Sequence, residues 1–277
     1  MRREGKEEVI DPDYLATGNP LSILNERTFG FYQGAILRID LDGLINARDL
    51  GGLPIASGGF TQSRVIFRSD HPAMLTGRGW AQFREADIRT IISLETGGLS
   101  REDSLRMNRV IDMPAGIDVP VLHVPIEDAS DSEFMDAWAR TGLWGTPLYF
   151  ADALKRWPVL YGNALKTIAS AKGPVLMHCG RGHDRTGLLS LLLLALAGVT
   201  TEAIAEDYLL SSRNLRVREE RAVTSLESTL ADAGTTAYAA IAAAIGVIDD
   251  EYLEAAGLYH TDAAHFRQLL HIDRFAR

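Results

Sequence analysis

The feature that most constrains the fold is a stretch in which a short apolar strand, a glycine-containing loop and a long apolar run follow one another. It reads GPVLMHCGRGHDRTGLLSLLLLALAG and spans residues 173–198. The apolar run, from Leu188 to Val199, is well short of the roughly 20 residues that a bilayer span requires. This pattern predicts a fully buried central helix, preceded by a buried strand at 173–179.

Strand and helix signals alternate along the rest of the chain. Three short runs rich in apolar and β-branched residues predict further strands: 64–70, 88–96 and 119–128. Trp80 and Phe83 at helical spacing predict a helix over 76–87, with Thr76 as its N-cap. The C-terminal third is predicted to be helical, with separate helices at 200–212, 218–233 and 261–275 among others. The alternation predicts an α/β fold, in which a central, mainly parallel sheet is flanked by helices in three α/β/α layers.

Composition and periodicity suggest how the chain is divided. Residues 1–34 show no clear periodicity, and we expect them to form an N-terminal extension. Residues 35–277 are expected to form a single domain. Within that domain, 129–160 is predicted to be helical and carries more large aromatic side chains than a loop needs. Packing of these aromatics on the sheet is the interpretation we favour, and a lid over a functional site is the alternative.

Charge and cysteine content narrow the classes of partner. The formal net charge is −9, so no overall basic field attracts nucleic acid or an anionic membrane, and we predict neither as a stable partner. An anionic substrate would have to meet a local positive site. The single cysteine excludes an intrachain disulfide framework and fits a reducing, cytoplasmic setting. The charged N-terminus has no apolar core, so we predict no secretory signal.

The loop that follows the buried strand has the chemistry of an anion site. Successive N–H groups in such a loop converge, and the helix N-terminus adds partial positive charge. Gly180 and Gly182 permit the close approach that this requires, and Cys179 at the first position is favoured as the reactive thiolate. Arg185 can grip two phosphate oxygens, and Thr186 can donate its hydroxyl to the sulfur. These residues predict covalent phosphoryl transfer with a phosphocysteine intermediate, in which an acid protonates the departing oxygen.

The motif HCGRGHDRTG resembles the His-Cys-x5-Arg-Ser/Thr loop of the cysteine-dependent protein tyrosine phosphatase superfamily. Three further stretches resemble its bacterial tyrosine/serine phosphatase branch, which also acts on phosphoinositides: NARDLGG (46–52), FRSD (67–70) and DYLLSS (207–212). The resemblance covers about residues 35–277. It implies a tyrosine-phosphatase-like fold and hydrolysis of phosphomonoesters without a metal or cofactor.

The resemblance also implies roles by position. Cys179 becomes the nucleophile and Arg185 the phosphate clamp. The residues implied to hold the phosphate are Gly180, Arg181, Gly182, His183, Asp184, Arg185 and Thr186. The family usually has lysine at the position of His183, whereas Arg181 supplies a cation where the family often has a small residue. Because histidine is only partly cationic at neutral pH, this departure weakens the case for a highly charged phosphoinositide and predicts a pH optimum on the acidic side of neutral.

Two carboxylates are candidates for the general acid. Asp184 stands where the bacterial branch places an acid inside the loop, and we take it as the first candidate. Asp128 is the last residue of the segment 119–128, where the predicted strand runs into an acidic loop. In HVPIEDASD, many relatives hold a mobile acid in the corresponding loop. The alternative role for Asp128 is a solvated loop carboxylate or helix cap.

Several polar residues are expected to support the loop rather than to react. We expect His178 to hydrogen-bond the loop backbone, and Arg48 and Asp49 to brace the loop. Arg68 is ambiguous between bracing and substrate contact. We predict no metal for His178, Cys179 and His183, whose spacing fits no common zinc pattern. A charged cluster is expected to form a solvated helix face: Arg213, Arg216, Arg218, Glu219, Glu220 and Arg221.

Three classes of function are compatible with this pattern. The first is a phosphomonoester hydrolase, acting either on phosphotyrosine in proteins or on a small phosphorylated metabolite, such as a sugar, inositol or nucleoside phosphate in a biosynthetic pathway. The second is a non-catalytic phosphate reader, although such proteins usually lose the cysteine or the arginine, and Cys179 and Arg185 are both present. The third is a single-turnover persulfide carrier, because the chain has no second cysteine for a thiol relay.

Overall fold

A central five-stranded sheet organises the protein in the computed structural model, which describes residues 39–96 and 110–272. Its strands are β1 (Arg48–Asp49), β3 (Ile66–Ser69), β4 (Thr90–Ser93), β5 (Val121–His123) and β6 (Val175–His178). They lie in the order β1-β3-β6-β4-β5, with β1 antiparallel to β3 and the other four strands parallel. The prediction of a mainly parallel α/β sheet is confirmed, and β6 is its central strand.

Helices surround this sheet and fill the C-terminal third. They are α1 (Gly77–Glu85), α2 (Phe150–Arg156), α3 (Pro158–Ser170), α4 (Asp184–Leu196), α5 (Thr201–Asp232), α6 (Ala237–Ile245), α7 (Asp250–Ala255) and α8 (His260–Leu270). Shorter helical turns occur at Pro72–Met74, Ser132–Phe134, Met135–Ala139 and Pro147–Tyr149. Thr76 caps α1 as predicted, because its hydroxyl oxygen accepts from the Gly79 N–H at 3.1 Å.

The apolar run of the sequence forms α4, the helix at the centre of the core. Helix α4 contacts β3 and β6 and also packs against α5, α6 and α8. Its side chains are buried on all sides, and Leu189, Leu192 and Leu193 have no exposed surface. A helix enclosed in this way has no solvent face, which explains why the run shows no polar periodicity.

The C-terminal third differs from the sequence prediction at its end. The helices predicted at 200–212 and 218–233 meet without a loop in α5, which is kinked at Glu219 (φ −132°, ψ 47°), so the break lies next to the predicted start of the second helix. The helix predicted over 261–275 ends at Leu270, and the next two residues form β7 (His271–Ile272). Strand β7 pairs antiparallel with β2 (Phe60–Thr61) in a separate two-stranded sheet. Local periodicity does not encode a pairing between segments so distant in the chain.

The aromatic side chains of 129–160 mostly pack against one another. Phe134 lies with its ring centroid 4.2 Å from that of Trp157 and 6.2 Å from that of Tyr149. All three side chains are buried. This is the packing role that we favoured, while the alternative role of the segment as a lid stays a prediction.

The described residues belong to one compact unit, which runs from Ile36 to Arg277. The extension predicted at 1–34 lies outside the described residues, so its boundary stays a prediction. Within the described ranges, no helix combines the length and apolar character needed to cross a membrane.

Candidate active site

The predicted anion loop connects the central strand with the central helix. Strand β6 ends at His178 and α4 begins at Asp184, so the loop lies at the carboxyl end of β6, between β3 and β4. Cys179 is a free thiol with 1% exposure. Gly182 has a φ of +67°, and a Cβ atom there would lie 2.5 Å from the Ser69 carbonyl oxygen. The loop therefore requires glycine at this position, because β3 approaches it too closely for any side chain.

Neighbouring segments hold three consecutive carbonyl groups of the loop. The Gly180 oxygen accepts from the His71 N–H at 3.4 Å. The Arg181 oxygen accepts from Asn46 Nδ2 at 2.8 Å, and the Gly182 oxygen accepts from Arg68 Nη2 at 2.8 Å. The C=O and N–H of a trans peptide point in opposite directions. Because these carbonyls point outward to the surrounding strands and loops, we expect the N–H groups of the same peptides to point the other way, towards the interior of the loop. Binding of an anion by these N–H groups stays a prediction.

A buried carboxylate holds the two arginines that the sequence analysis placed around the loop. Asp207 Oδ1 accepts from Arg48 Nε at 2.6 Å, and Oδ2 accepts from Arg68 Nη1. Both arginines also donate to Ser211 Oγ, at 2.7 and 3.2 Å. Burial alone would raise the pKa of Asp207, but the two guanidinium groups outweigh it and hold this pKa below its usual value. Arg68 thus braces the loop through Gly182, and the ambiguity about its role is resolved in favour of bracing in this geometry.

Two more aspartates explain why the NARDLGG and FRSD stretches accompany the loop. Asp70 accepts from the backbone N–H of Asn46 at 2.9 Å, which fixes the segment from which Asn46 reaches the loop. Asp49 accepts from the N–H of Gly51 at 2.9 Å and of Arg64 at 2.7 Å. Asp49 therefore shapes the turn after β1 and the turn before β3, and supports the loop indirectly.

The predicted clamp, Arg185, lies against two residues that the sequence analysis did not identify. Its Nε is 3.8 Å from Glu127 Oε2, and its guanidinium carbon is 5.4 Å from the ring centroid of Trp144. Glu127 Oε1 accepts from Tyr149 Oη at 2.9 Å and from Trp144 Nε1 at 3.3 Å. Burial raises the pKa of Glu127, and Arg185 and Tyr149 offset part of this effect. No local pattern marks Glu127 or Trp144, because their roles depend on contacts across the fold.

The side chain of His183 is hydrogen-bonded within the protein. Its Nδ1 contacts Asp184 Oδ1 at 2.7 Å, and its Nε2 contacts Ser212 Oγ at 2.9 Å. The ring is 3% exposed and lies 4.7 Å from the ring of Tyr208. In this geometry His183 positions Asp184, and its expected role in phosphate binding stays a prediction.

The two candidate acids have different environments. Burial pushes the pKa of Asp184 upward, but His183, Arg181 and Arg185 outweigh it and hold this pKa below its usual value. Asp128 is exposed, and its Oδ1 accepts from the N–H of Ser130 at 2.9 Å and from its hydroxyl at 2.7 Å. The structure thus shows Asp128 as an exposed loop carboxylate, the first part of the alternative that we considered, while the cap of the next helical turn is Asp131, whose Oδ1 accepts from the Phe134 N–H at 3.2 Å.

His178, which precedes Cys179, and Thr186, in the first turn of α4, also have defined surroundings. His178 Nδ1 donates to the Cys179 carbonyl oxygen at 3.2 Å, which is a contact with the loop backbone of the kind expected. Burial lowers the pKa of His178 to about 3, so the ring is neutral. Thr186 Oγ1 is buried and makes no hydrogen bond within 39–96 and 110–272. The predicted bond from Thr186 to the sulfur is therefore absent in this geometry.

One carboxylate of the predicted solvated helix face lies instead beside the loop. Glu219 Oε2 is 2.7 Å from Arg181 Nε, and the two side chains are 30% and 32% exposed. Glu219 is the residue at which α5 departs from helical geometry. The other charged residues of this face make surface pairs, such as Arg216 with Glu227. The cation that Arg181 adds to the loop thus has a carboxylate beside it.

A cleft lies next to the loop, between α5 and the segment around Trp144. Its volume is about 210 Å³. The residues that define its character are Trp144, Thr146, Asp184, Leu215, Val223 and Leu226. The loop side of the cleft is polar, and the α5 side is mixed, because Glu219, Ser225 and Thr229 line it beside the apolar residues.

Comparisons with known proteins agree on one family. The model of the tyrosine phosphatase family matches residues 39–271. A protein of Cupriavidus necator, provisionally named a tyrosine-protein phosphatase, is 27% identical over 180 residues, which cover 62% of this chain and 62% of that protein. The triple specificity protein phosphatase PtpB of Mycobacterium tuberculosis is 30% identical over 199 residues, which cover 62% of this chain and 68% of PtpB. The match thus spans less than two thirds of the Cupriavidus protein.

Replacing Asp207 tests the bracing of the loop. We expect Asp207→Asn to lower the free energy of unfolding by about 3–5 kcal/mol, because two buried guanidinium groups lose their counter-charge. The control is Glu206→Gln, whose partner Arg213 is partly exposed, so its effect should stay within about 1 kcal/mol. Urea denaturation measures both variants. Equal losses in the two variants would contradict the bracing role.

Replacing Glu219 tests its competition with phosphate for Arg181. We expect Glu219→Gln to tighten the binding of inorganic phosphate by about twofold to fivefold, the range for a partly exposed ion pair. The reason is that Arg181 loses the competing carboxylate of Glu219 and that one negative charge is removed from the cleft. Competitive inhibition by phosphate gives the affinity. Glu220→Gln, an exposed carboxylate on the same helix, is the matched control, and an equal change there would show a general charge effect instead.

Proposed function

The chain belongs to the tyrosine phosphatase family, and from this premise we propose that it hydrolyses phosphomonoesters through a phosphocysteine on Cys179. The observation that carries the proposal is the shape of the loop. Its carbonyls are held by Asn46, His71 and Arg68, so its N–H groups converge where Cys179 enters the loop. The positive N-terminus of α4 and the guanidinium of Arg185 add to this cradle.

The reaction follows from the groups around the cradle. The Cys179 thiolate attacks phosphorus, so that an S–P bond forms while the P–O bond to the alcohol breaks. The departing oxygen takes a proton from an acid, and water then cleaves the S–P bond to release inorganic phosphate. The loop N–H groups and Arg185 bind the three remaining phosphate oxygens, on which charge accumulates in the transition state.

We propose Asp184 as the acid of the first step and as the base that activates water in the second. Its carboxylate lines the cleft, which is the open space beside the loop through which the alcohol would leave. The pKa of Asp184 is depressed, so the carboxylate is ionised at neutral pH and its protonated form accumulates as the pH falls. The rate on poor leaving groups is therefore expected to rise towards acidic pH.

The cleft bears on the two substrate classes. Its α5 wall combines Leu215, Val223 and Leu226, opposite Trp144, with the polar residues Glu219, Ser225 and Thr229. The apolar part and the Trp144 ring suit a phosphoester whose alcohol is an aromatic ring, whereas the polar residues suit a sugar or inositol. We propose an aryl phosphate, with phosphotyrosine in a protein or peptide as the leading substrate, and keep the small phosphorylated metabolite as the alternative. The name of the similar Mycobacterium tuberculosis protein, a triple specificity protein phosphatase, supports a phosphoprotein.

Replacing Cys179 tests the proposed function. We expect Cys179→Ser to abolish turnover of an aryl phosphate, because a serine hydroxyl is not ionised in this loop, while the binding of a phosphotyrosine peptide persists. Calorimetry on this variant should rank the peptide above glucose 6-phosphate and inositol phosphate. Turnover that survives the substitution would refute the phosphocysteine mechanism, whereas tighter binding of the sugar phosphates would favour the metabolite class.

A pair of aspartate variants tests the acid. We expect Asp184→Asn to reduce the rate strongly, by about 100-fold or more, on a substrate with a poor leaving group such as phenyl phosphate. The loss should be small for p-nitrophenyl phosphate, whose leaving group needs no proton. Asp128→Asn, the matched control, should leave both rates unchanged. The reverse pattern would identify Asp128 as the acid.

A further inference from the structure

A second cluster of ionisable side chains lies at the same edge of the central sheet as the loop. His71 follows β3, Glu95 follows β4 and His178 ends β6, and these three strands are neighbours. Each residue offers one ligand atom, and the three atoms lie within 4.8 Å of one another. The three residues are 3%, 5% and 0% exposed. The proposed reaction uses the backbone N–H of His71, which supports the loop, but neither the imidazole of His71 nor the side chain of Glu95.

The strongest observation is an unsatisfied nitrogen on His178. Its Nδ1 lies 3.2 Å from the Cys179 carbonyl oxygen, which can only accept, so Nδ1 carries the hydrogen and Nε2 presents a lone pair. This Nε2 is buried and has no hydrogen-bond partner within the ranges that the structure describes. Leaving a buried acceptor without a donor is unfavourable. A bound cation would supply what the lone pair lacks.

We propose that His71, Glu95 and His178 bind a divalent transition-metal ion of the zinc type, at a site separate from the phosphate cradle. Two imidazoles and one carboxylate form a common zinc ligand set that leaves a fourth position for water. A cavity of about 310 Å³ borders the three residues, and Ser93 and His123 also line it. The cavity provides room for the ion and its water.

The hydrogen bonds of His71 specify how the site would change on binding. Nδ1 accepts from the Ala73 N–H at 3.0 Å, so Nε2 carries the hydrogen and faces Glu95 Oε2 at 3.3 Å. An ion at Nε2 takes the place of this hydrogen, which moves to Nδ1. The cap bond to Ala73 is therefore released when the metal binds. Glu95 and His178 need no such change, and they form the stronger part of the site.

The surrounding charges permit a cation at this position. The positive charge of Arg185 is close enough to contribute to the lowered pKa of Glu95. Glu127 lies beside Arg185 as a counter-charge. The ion would also affect the loop through the imidazole of His178, because metal binding at its Nε2 makes its Nδ1–H a stronger hydrogen-bond donor. The bond from His178 to the Cys179 carbonyl would become stronger, and the ends of three neighbouring strands would be held together.

Cobalt and zinc titrations of the Cys179→Ser protein test the site, since this background removes the competing thiolate. We expect one Co²⁺ ion per chain, with the visible absorption of a four-coordinate site, and a thermal midpoint that rises with Zn²⁺ concentration. His178→Gln and Glu95→Gln should each weaken binding by about tenfold or more. His265→Gln is the matched control, because His265 is an exposed histidine on α8, and the affinity of this variant should be unchanged.

X-ray absorption on zinc-loaded Cys179→Ser protein keeps the test decisive if the cluster variants fail to fold. The expected spectrum shows two imidazoles and oxygen ligands. Absence of stoichiometric binding, fewer than two imidazoles, or equal weakening in all three variants would overturn the site. None of these results depends on catalysis, so failure of the metal site and failure of the proposed phosphatase reaction can be told apart.

Discussion

The carboxylate of Asp207 is the interaction on which the geometry of the loop depends. It lies between Arg48 and Arg68 in the core, and Arg68 continues to the carbonyl of Gly182. Removing one member leaves buried charge without compensation, which is far more costly than losing a surface pair. The same contact connects helix α5, the first strands of the sheet and the loop. Fold stability and loop geometry are therefore coupled through one carboxylate.

Carboxylates also accompany the two arginines of the loop region. The pairs are Arg181 with Glu219 and Arg185 with Glu127. In a chain with a net charge of −9, these arginines are partly balanced by carboxylates. Under the proposed function, a phosphate dianion has to form enough hydrogen bonds with the loop to compete with them.

Local patterns were sufficient for the strand, the loop and the central helix, because each is encoded by contiguous residues. The apolar run of α4 and the positions of Cys179 and Arg185 are examples. The residues that brace and tune the site were harder to predict, because their partners are distant in the chain. Asp207 lies 159 residues from Arg48, and Glu127 is buried whereas its neighbour Asp128 is exposed. We did not identify Glu127 from the sequence, because the motif alone does not show which of these two side chains faces the core.

Trapping the covalent intermediate is the direct test of the proposed phosphocysteine mechanism. We predict that protein quenched in acid during turnover of an aryl phosphate carries one phosphoryl group, and that peptide mapping locates it on the sulfur of Cys179. The phosphoryl group should disappear when the substrate is exhausted, since water cleaves the intermediate. Turnover without any phosphorylated peptide, or a phosphoryl group on a different residue, would show that Cys179 is not the nucleophile.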